Sequence, residues 1–279
     1  MGAAGVPGAD AGSAFITGAA SGIGLGLARV LVQRGMQVWV ADRDAAACER
    51  TAAELRAAGG RAEALVFDVC DEAAFNAAFA SAWAQSGRID LLVNNAGIGA
   101  AADARDMTVA LWRRVVEVNL LGVMHGCHAA WARMATSGGG RIVNVASAFG
   151  LLPGPLYAAY SASKHGVVGL SRSLRAEGRA LGIGVTAVCP GFVRTRILEN
   201  AELVGVDAAR AEAAVPFRFL EPDAAVATIL RGIERNRALV VFPIEMRLLW
   251  WLDRVAPVLV DWLSAAAARR YRDSAGRFD

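Results

Sequence analysis

Seven short apolar runs, at residues 14–17, 37–41, 62–67, 91–93, 141–146, 184–188 and 239–242, alternate with longer segments of helical spacing. The helical segments fall near 22–34, 44–58, 72–86, 108–135, 157–180 and 222–235. Alternation of this kind requires a crossover after each strand, so the strands lie parallel and helices cover both faces of the sheet. The apolar runs are nearly continuous, as expected when neither face meets water. No solenoid-length repeat and no interior linker divides the chain. The sequence therefore predicts an α/β fold, a doubly wound parallel sheet in a single domain over 13–244. Ligands of such sheets bind beyond the carboxyl ends of the strands, so the residues after each apolar run are the ones to read.

The flanks and the composition narrow the field. Residues 1–12 are rich in Gly and Ala and have neither the basic residue nor the apolar core of a signal peptide. Val6 stands where a myristoylation signal has Ser or Thr, and the segment reads as a flexible tail. A net charge of +3, from 29 basic and 26 acidic residues, gives no nucleic-acid surface. Cys48, Cys70, Cys127 and Cys189 are widely spaced and read as reduced thiols of a cytoplasmic protein. His125 and His128 lack a third ligand beside them, so no metal site is expected.

Thr17-Gly18-Ala19-Ala20-Ser21-Gly22-Ile23-Gly24 follows the first strand and opens the first helix. Glycines let the backbone approach a pyrophosphate, and the helix N-terminus offers free N–H groups. Asp42 ends the second strand, twenty residues after Gly22. A carboxylate there accepts from an adenosine ribose and repels the 2′-phosphate of NADP, whereas Arg43 beside it could pair with that phosphate. The balance favours NAD(H), with NADP(H) as the alternative. The bland reading of Asp42 is a turn or cap aspartate.

Tyr160 and Lys164 are four residues apart and share one face of a helix. A cation beside a tyrosine stabilises the phenolate and makes it a usable acid/base. Tyr157 has only Ser161 at the same spacing. Lys164 is the only lysine among 29 basic side chains, and lysine is a compact donor where arginine is a wide fork. Ser147 ends the run 141–146, placed to hold a substrate oxygen; alone it would read as turn chemistry.

Together these residues resemble the short-chain dehydrogenase/reductase family in its single-domain Tyr-xxx-Lys form, from about Ala14 to Phe242. Beyond the pieces above, the resemblance rests on Asp68-Val69, Asn94-Asn95-Ala96-Gly97, Asn119, and Pro190-Gly191 with Val193 and Thr195. It implies a Rossmann-type fold, a nicotinamide cofactor and a homodimer or homotetramer. It makes Tyr160 the acid/base, with Lys164 lowering its pKa and binding the nicotinamide ribose. Ser147 would orient the substrate carbonyl, and Asn119 would hold a water of a proton relay. Gly18, Ser21, Gly22, Ile23 and Gly24 would cradle the phosphates, with Asp42 and Arg43 at the ribose. Asp68 and Val69 would contact adenine, Asn95, Ala96 and Gly97 would line the cleft, and Pro190, Gly191, Val193 and Thr195 would border the nicotinamide. Asn94 and Asn144 read as core hydrogen bonders.

Two segments should decide what is bound. Residues 192–220 hold the substrate loop, with Ile197, Leu198, Leu203, Val204, Val206, Val215, Phe217 and Phe219. That composition leans to a hydrophobic secondary alcohol or ketone, although the same side chains could serve only to pack the loop. Residues 245–279 form a C-terminal helical extension broken at Pro257, with Asp253, Arg254 and Asp261 excluding a bilayer span. Trp250, Trp251 and Trp262 suit a subunit interface first, then a lid beside the active site, then a membrane surface, which is not favoured. The function implied is hydride transfer between nicotinamide and an alcohol or ketone. Its rivals are an NADPH-dependent ketone or 3-ketoacyl reductase and a catalytically silent dinucleotide-binding scaffold.

Overall fold

The computed structural model describes residues 12–195, 197, 200–205 and 217–274. The strands are β1 (Ser13–Thr17), β2 (Gln37–Asp42), β3 (Arg61–Val66), β4 (Leu91–Asn94), β5 (Ala100–Ala102), β6 (Gly140–Val145), β7 (Ile183–Pro190), β8 (Glu202–Val204) and β9 (Leu239–Phe242). Seven of them form one parallel sheet in the order β3-β2-β1-β4-β6-β7-β9. The chain builds outward from β1 to β3, then returns to the other side of β1 with β4. That reversal opens a crevice above the carboxyl ends of β1 and β4.

The helices are α1 (Gly22–Gln33), α2 (Ala45–Ala57), α3 (Glu72–Ser86), α4 (Val109–Val116), α5 (Gly122–Thr136), α6 (Ala158–Gly178), α7 (Pro222–Glu234), α8 (Ile244–Val255) and α9 (Pro257–Ser274). Alternate residues of a strand point to opposite faces, and the two cores follow from this. Ala14, Ile16, Val38 and Val40 meet Leu27 and Leu31 of α1, Leu55 of α2 and Ile229 of α7. Phe15, Trp39 and Leu92 meet Phe75 and Phe79 of α3, Met134 of α5 and Val167 of α6. Each such large side chain contributes roughly 1.5–3 kcal/mol when fully buried. Helix α6 is also tied by polar groups. Asn94 Nδ2 donates to Asn144 Oδ1 at 2.9 Å, and Asn144 Nδ2 donates to Ser171 Oγ at 3.0 Å, joining β4, β6 and α6. Loss of one partner would strand a buried polar group.

All seven expected strands and six expected helical segments are present. Two features differ. The expected helix at 108–135 is interrupted by a π-helical turn at Glu117–Leu121, the kind of local widening found at functional sites. A separate pair, β5 with β8, was not foreseen. Three alanines in a row and a three-residue edge carry no periodicity, so only their meeting defines them. The extension is helical and breaks at Pro257, which lacks the N–H needed to continue α8.

Candidate active site

A cleft of about 560 Å³ lies along the carboxyl ends of the strands. At one end, Gly18 and Gly22 adopt left-handed φ of 62° and 52°. A side chain at Gly18 would press on Ala96, and one at Gly22 would stand 3.1 Å from Thr195 Cγ2, across the cleft. Ser21 starts α1 without a side-chain cap, and no acidic residue occupies the first turn, so its N–H groups face the cleft for an anion. The loop is held in shape by side chains that also line the cleft. Asp42 Oδ2 accepts from Ala20 N at 3.3 Å, and Asn95 Nδ2 donates to the carbonyls of Thr17 and Gly18 at 3.0 Å each. Arg43, Asp68 and Val69 continue the same wall. A cradle of this shape, bare of Cβ atoms where a diphosphate would lie, fits a dinucleotide.

At the centre stand Ser147, Tyr160 and Lys164. Gly150 is why they meet: a Cβ there would stand 2.6 Å from the Lys164 carbonyl oxygen, so the turn after β6 rests against the α6 backbone. Lys164 is only 2% exposed, donates to the Val145 carbonyl at 2.9 Å, and lies 5.6 Å from the centroid of the Tyr160 ring. Its ammonium also faces Gly97, where a Cβ would be 3.5 Å away. Burial lowers Lys164 to about 8. Burial pushes Tyr160 up to about 12, against a hydrogen bond from Ser147 that lowers it. The lysine was expected to lower the tyrosine; instead burial dominates, and the ammonium bonds to the Val145 carbonyl.

Asn119 and Gly24 stand outside the cleft wall. Asn119 sits in the π-helical turn, fully buried, and its amide closes on both backbone groups of Ile98: Oδ1 accepts from Ile98 N at 2.8 Å and Nδ2 donates to Ile98 O at 3.0 Å. Both ends of the side chain are committed to the backbone next to Gly97. Gly24 lies under the loop, where a side chain would collide with the Gly18 carbonyl oxygen.

The other end of the cleft is mostly apolar, although Arg114, Asn200 and Glu202 also line the cleft. Phe149, Tyr157, Phe192 and Phe219 form a chain of rings, with centroids 5.3 Å apart for Phe149–Tyr157, 5.9 Å for Phe149–Phe192 and 5.5 Å for Phe192–Phe219. Ile197, Leu203 and Met246 complete it. The two arms of the 192–220 segment are joined at their base, where Arg194 N donates to Leu220 O and Leu220 N to Phe192 O, both at 2.9 Å. Leu198, Val206 and Val215, also expected there, lie outside the described residues. Phe217 packs on the extension instead, in a cluster with Ala148, Leu152, Met246 and Val260. At the far end of α9, Arg272 Nε meets Asp103 Oδ2 at 2.8 Å, just after β5. The extension therefore runs from Met246, in the cleft wall, to Asp103 after β5.

The sequence model of the short chain dehydrogenase family matches residues 13–203, more than half of the chain. The chain belongs to the short chain dehydrogenase family. Among similar proteins, a putative ketoacyl reductase of monensin polyketide synthesis from Streptomyces virginiae is 44% identical, over 67% of this chain and 72% of its own. The probable oxidoreductase EphD of Mycobacterium tuberculosis is 35% identical over 87% of this chain, which spans only 43% of that relative's length. A short chain dehydrogenase/reductase from Burkholderia phymatum, solved in complex with NAD, superposes with a TM-score of 0.81 at 30% identity, covering 90% of this chain and 95% of its own.

In this short chain dehydrogenase the motif residues, Asn119 and Gly24 apart, converge on one cleft. Sequence reasoning passed over Phe149, Phe192 and Met246, and set Tyr157 aside for lack of a charged partner. No spacing links these four. The one available signal was aromatic residues next to Ser147, Tyr160 and Gly191.

Proposed function

We propose that the protein is a nicotinamide-dependent oxidoreductase interconverting a hydrophobic secondary alcohol and its ketone, with NAD(H) as the preferred cofactor. The observation that carries this reading is the placement of Ser147, Tyr160 and Lys164 between a dinucleotide-shaped cradle and an aromatic pocket. The cofactor supplies or receives the hydride. In the reductive direction, the Tyr160 hydroxyl donates its proton to the substrate oxygen, which also accepts from Ser147 Oγ. Lys164 spends one N–H on Val145 and keeps two for ribose hydroxyls on the Gly97 side. Its charge then offsets the phenolate as the proton leaves. Asn119 also acts as a positioning residue: by fixing Ile98 its side chain holds Gly97 beside the ammonium.

The adenosine end supports NAD(H), since the Asp42 carboxylate stands where a 2′-phosphate would be repelled. The aromatic rings and Met246 support an uncharged apolar substrate. A second reading, an NADPH-dependent ketone or 3-ketoacyl reductase, draws on Arg43 in the same wall and on the 44% identical ketoacyl reductase. No helix among the described residues is long and apolar enough to cross a membrane. Free thiols at Cys48, Cys70, Cys127 and Cys189 accord with a cytoplasmic location. Leu121 and Met124, 39% and 37% exposed at the start of α5, offer apolar surface for a homodimer or homotetramer. The test is a panel of alcohols and ketones followed at the absorbance of reduced nicotinamide, with NAD(H) and NADP(H) in parallel. Turnover of apolar secondary alcohols or ketones is expected. Silence across the panel with both cofactors would return the scaffold reading.

A further inference from the structure

Among the described residues, thirteen large apolar side chains are exposed, and eight of them lie on α8 and α9. Their arrangement is regular. Ile244, Leu248, Trp251 and Val255 recur at helical spacing along one face of α8, opposite Met246, which is 3% exposed and lines the cleft. Val258, Leu259, Trp262 and Leu263 form the matching face of α9, with Val258 81% and Trp262 66% exposed, while Val260 turns inward. The hairpin is thus apolar on both sides: inside it packs on Ala148 and Leu152, and outside it is uncovered.

Arginines outnumber the acids around the outer face, four to three. Arg247, Arg254, Arg269 and Arg270 are exposed and have no carboxylate partner among the described residues. Glu245 and Asp261 are the exposed acids beside them, and Asp253 is half-buried. A two-fold contact between copies through this face would double the excess of arginine over acid at one rim. A layer of anionic headgroups would neutralise them, while the tryptophans suit the boundary between headgroup and acyl chain. Neither helix can cross a bilayer, so both would lie in its plane.

We infer that the outer face of the α8–α9 hairpin docks reversibly on an anionic phospholipid surface. Because Met246 on the inner face of α8 lines the apolar end of the cleft, docking sets that end beside the bilayer. That consequence for substrate supply rests on the reading proposed above; the docking itself does not.

The experiment is flotation of the full chain with phosphatidylcholine vesicles, with and without phosphatidylglycerol, at low and high salt, alongside light scattering without lipid. Wild-type protein is expected to float with the anionic vesicles only, and less at high salt. Trp251→Ser with Trp262→Ser should cut the bound fraction on the order of ten-fold, whereas Val109→Ser, 67% exposed on α4, should leave it unchanged. Matching thermal melts would separate lost docking from lost fold. If the tryptophan variant does not fold, Arg247→Glu with Arg254→Glu tests the same face. Absence of flotation, or equal flotation of the hairpin variants, overturns the inference. So does a fall in mass of the tryptophan variant in a protein that binds no vesicle, which would assign the face to a second copy. None of these readouts depends on turnover, so failure here leaves the oxidoreductase reading standing, and the reverse.

Discussion

The Lys164 ammonium stands 5.6 Å from the centroid of the Tyr160 ring, facing it across one turn of α6. At that distance the two groups are desolvated by the same surroundings. The arrangement keeps the tyrosine protonated, and the lysine, lowered to about 8, still carries its proton at neutral pH.

Tyr160→Phe should therefore remove the proton donor without touching the cradle at Gly18 and Gly22. Turnover is expected to fall by roughly 10²–10⁴-fold, the usual worth of a positioned acid/base. Cofactor affinity, read by nucleotide fluorescence titration, should change little. Full activity in this variant would remove the assigned role.

Lys164 gives a prediction on stability and pH. Its pKa falls from 10.5 in the unfolded chain to about 8 in the folded one. Below pH 8 both states carry the proton, and the buried charge destabilises the fold in full. Between pH 8 and 10.5 the unfolded chain binds more protons, so stability from this group rises with pH. Lys164→Met should flatten that rise and add about 1–3 kcal/mol at neutral pH, measured by urea unfolding across the range.

Asp103 is buried between Arg105 and Arg272. The Arg105 hydrogen bond, helped by Arg272, holds it at about 2 against an ordinary 3.8. Its contribution is present above pH 3.8 and is lost as pH falls toward 2. Asp103→Asn should cost on the order of 1–3 kcal/mol. It should also free the end of α9, seen as faster amide exchange across residues 257–272.

On the proposed reading, the Asp42 carboxylate disfavours a 2′-phosphate through its charge. Asp42→Ala leaves Arg43 free to meet a 2′-phosphate and removes the group that repels it. The ratio of kcat/KM for NADPH over NADH should rise by about ten-fold or more. An unchanged ratio would show that the carboxylate, already bonded to Ala20 N and Asp44 N, serves only to shape the loop.

The reading of the sequence was strongest where chemistry is local. The apolar runs gave the strands because both faces of each are covered, and the pairing of Tyr160 with Lys164 follows from helical spacing alone. It was weakest for the packing around Asn119, whose side chain fastens both backbone groups of Ile98. That outcome depends on a π-helical turn, which leaves no mark in hydrophobic spacing. Phe149, Tyr157, Phe192 and Met246 were equally invisible as a set, since no spacing along the chain links them.

By itself the sequence determined the parallel sheet, the glycine-rich turn after β1, and the pairing of Tyr160 with Lys164, because each is encoded by neighbours along the chain. Only the tertiary structure decided the electrostatic state of those residues and the composition of the substrate wall. The same holds for α8, whose one face lines the cleft while the other is left uncovered. Burial and cross-segment contact are properties of three-dimensional packing, and desolvation, which moves Tyr160 and Lys164 in opposite directions, does not exist until the chain has closed around them.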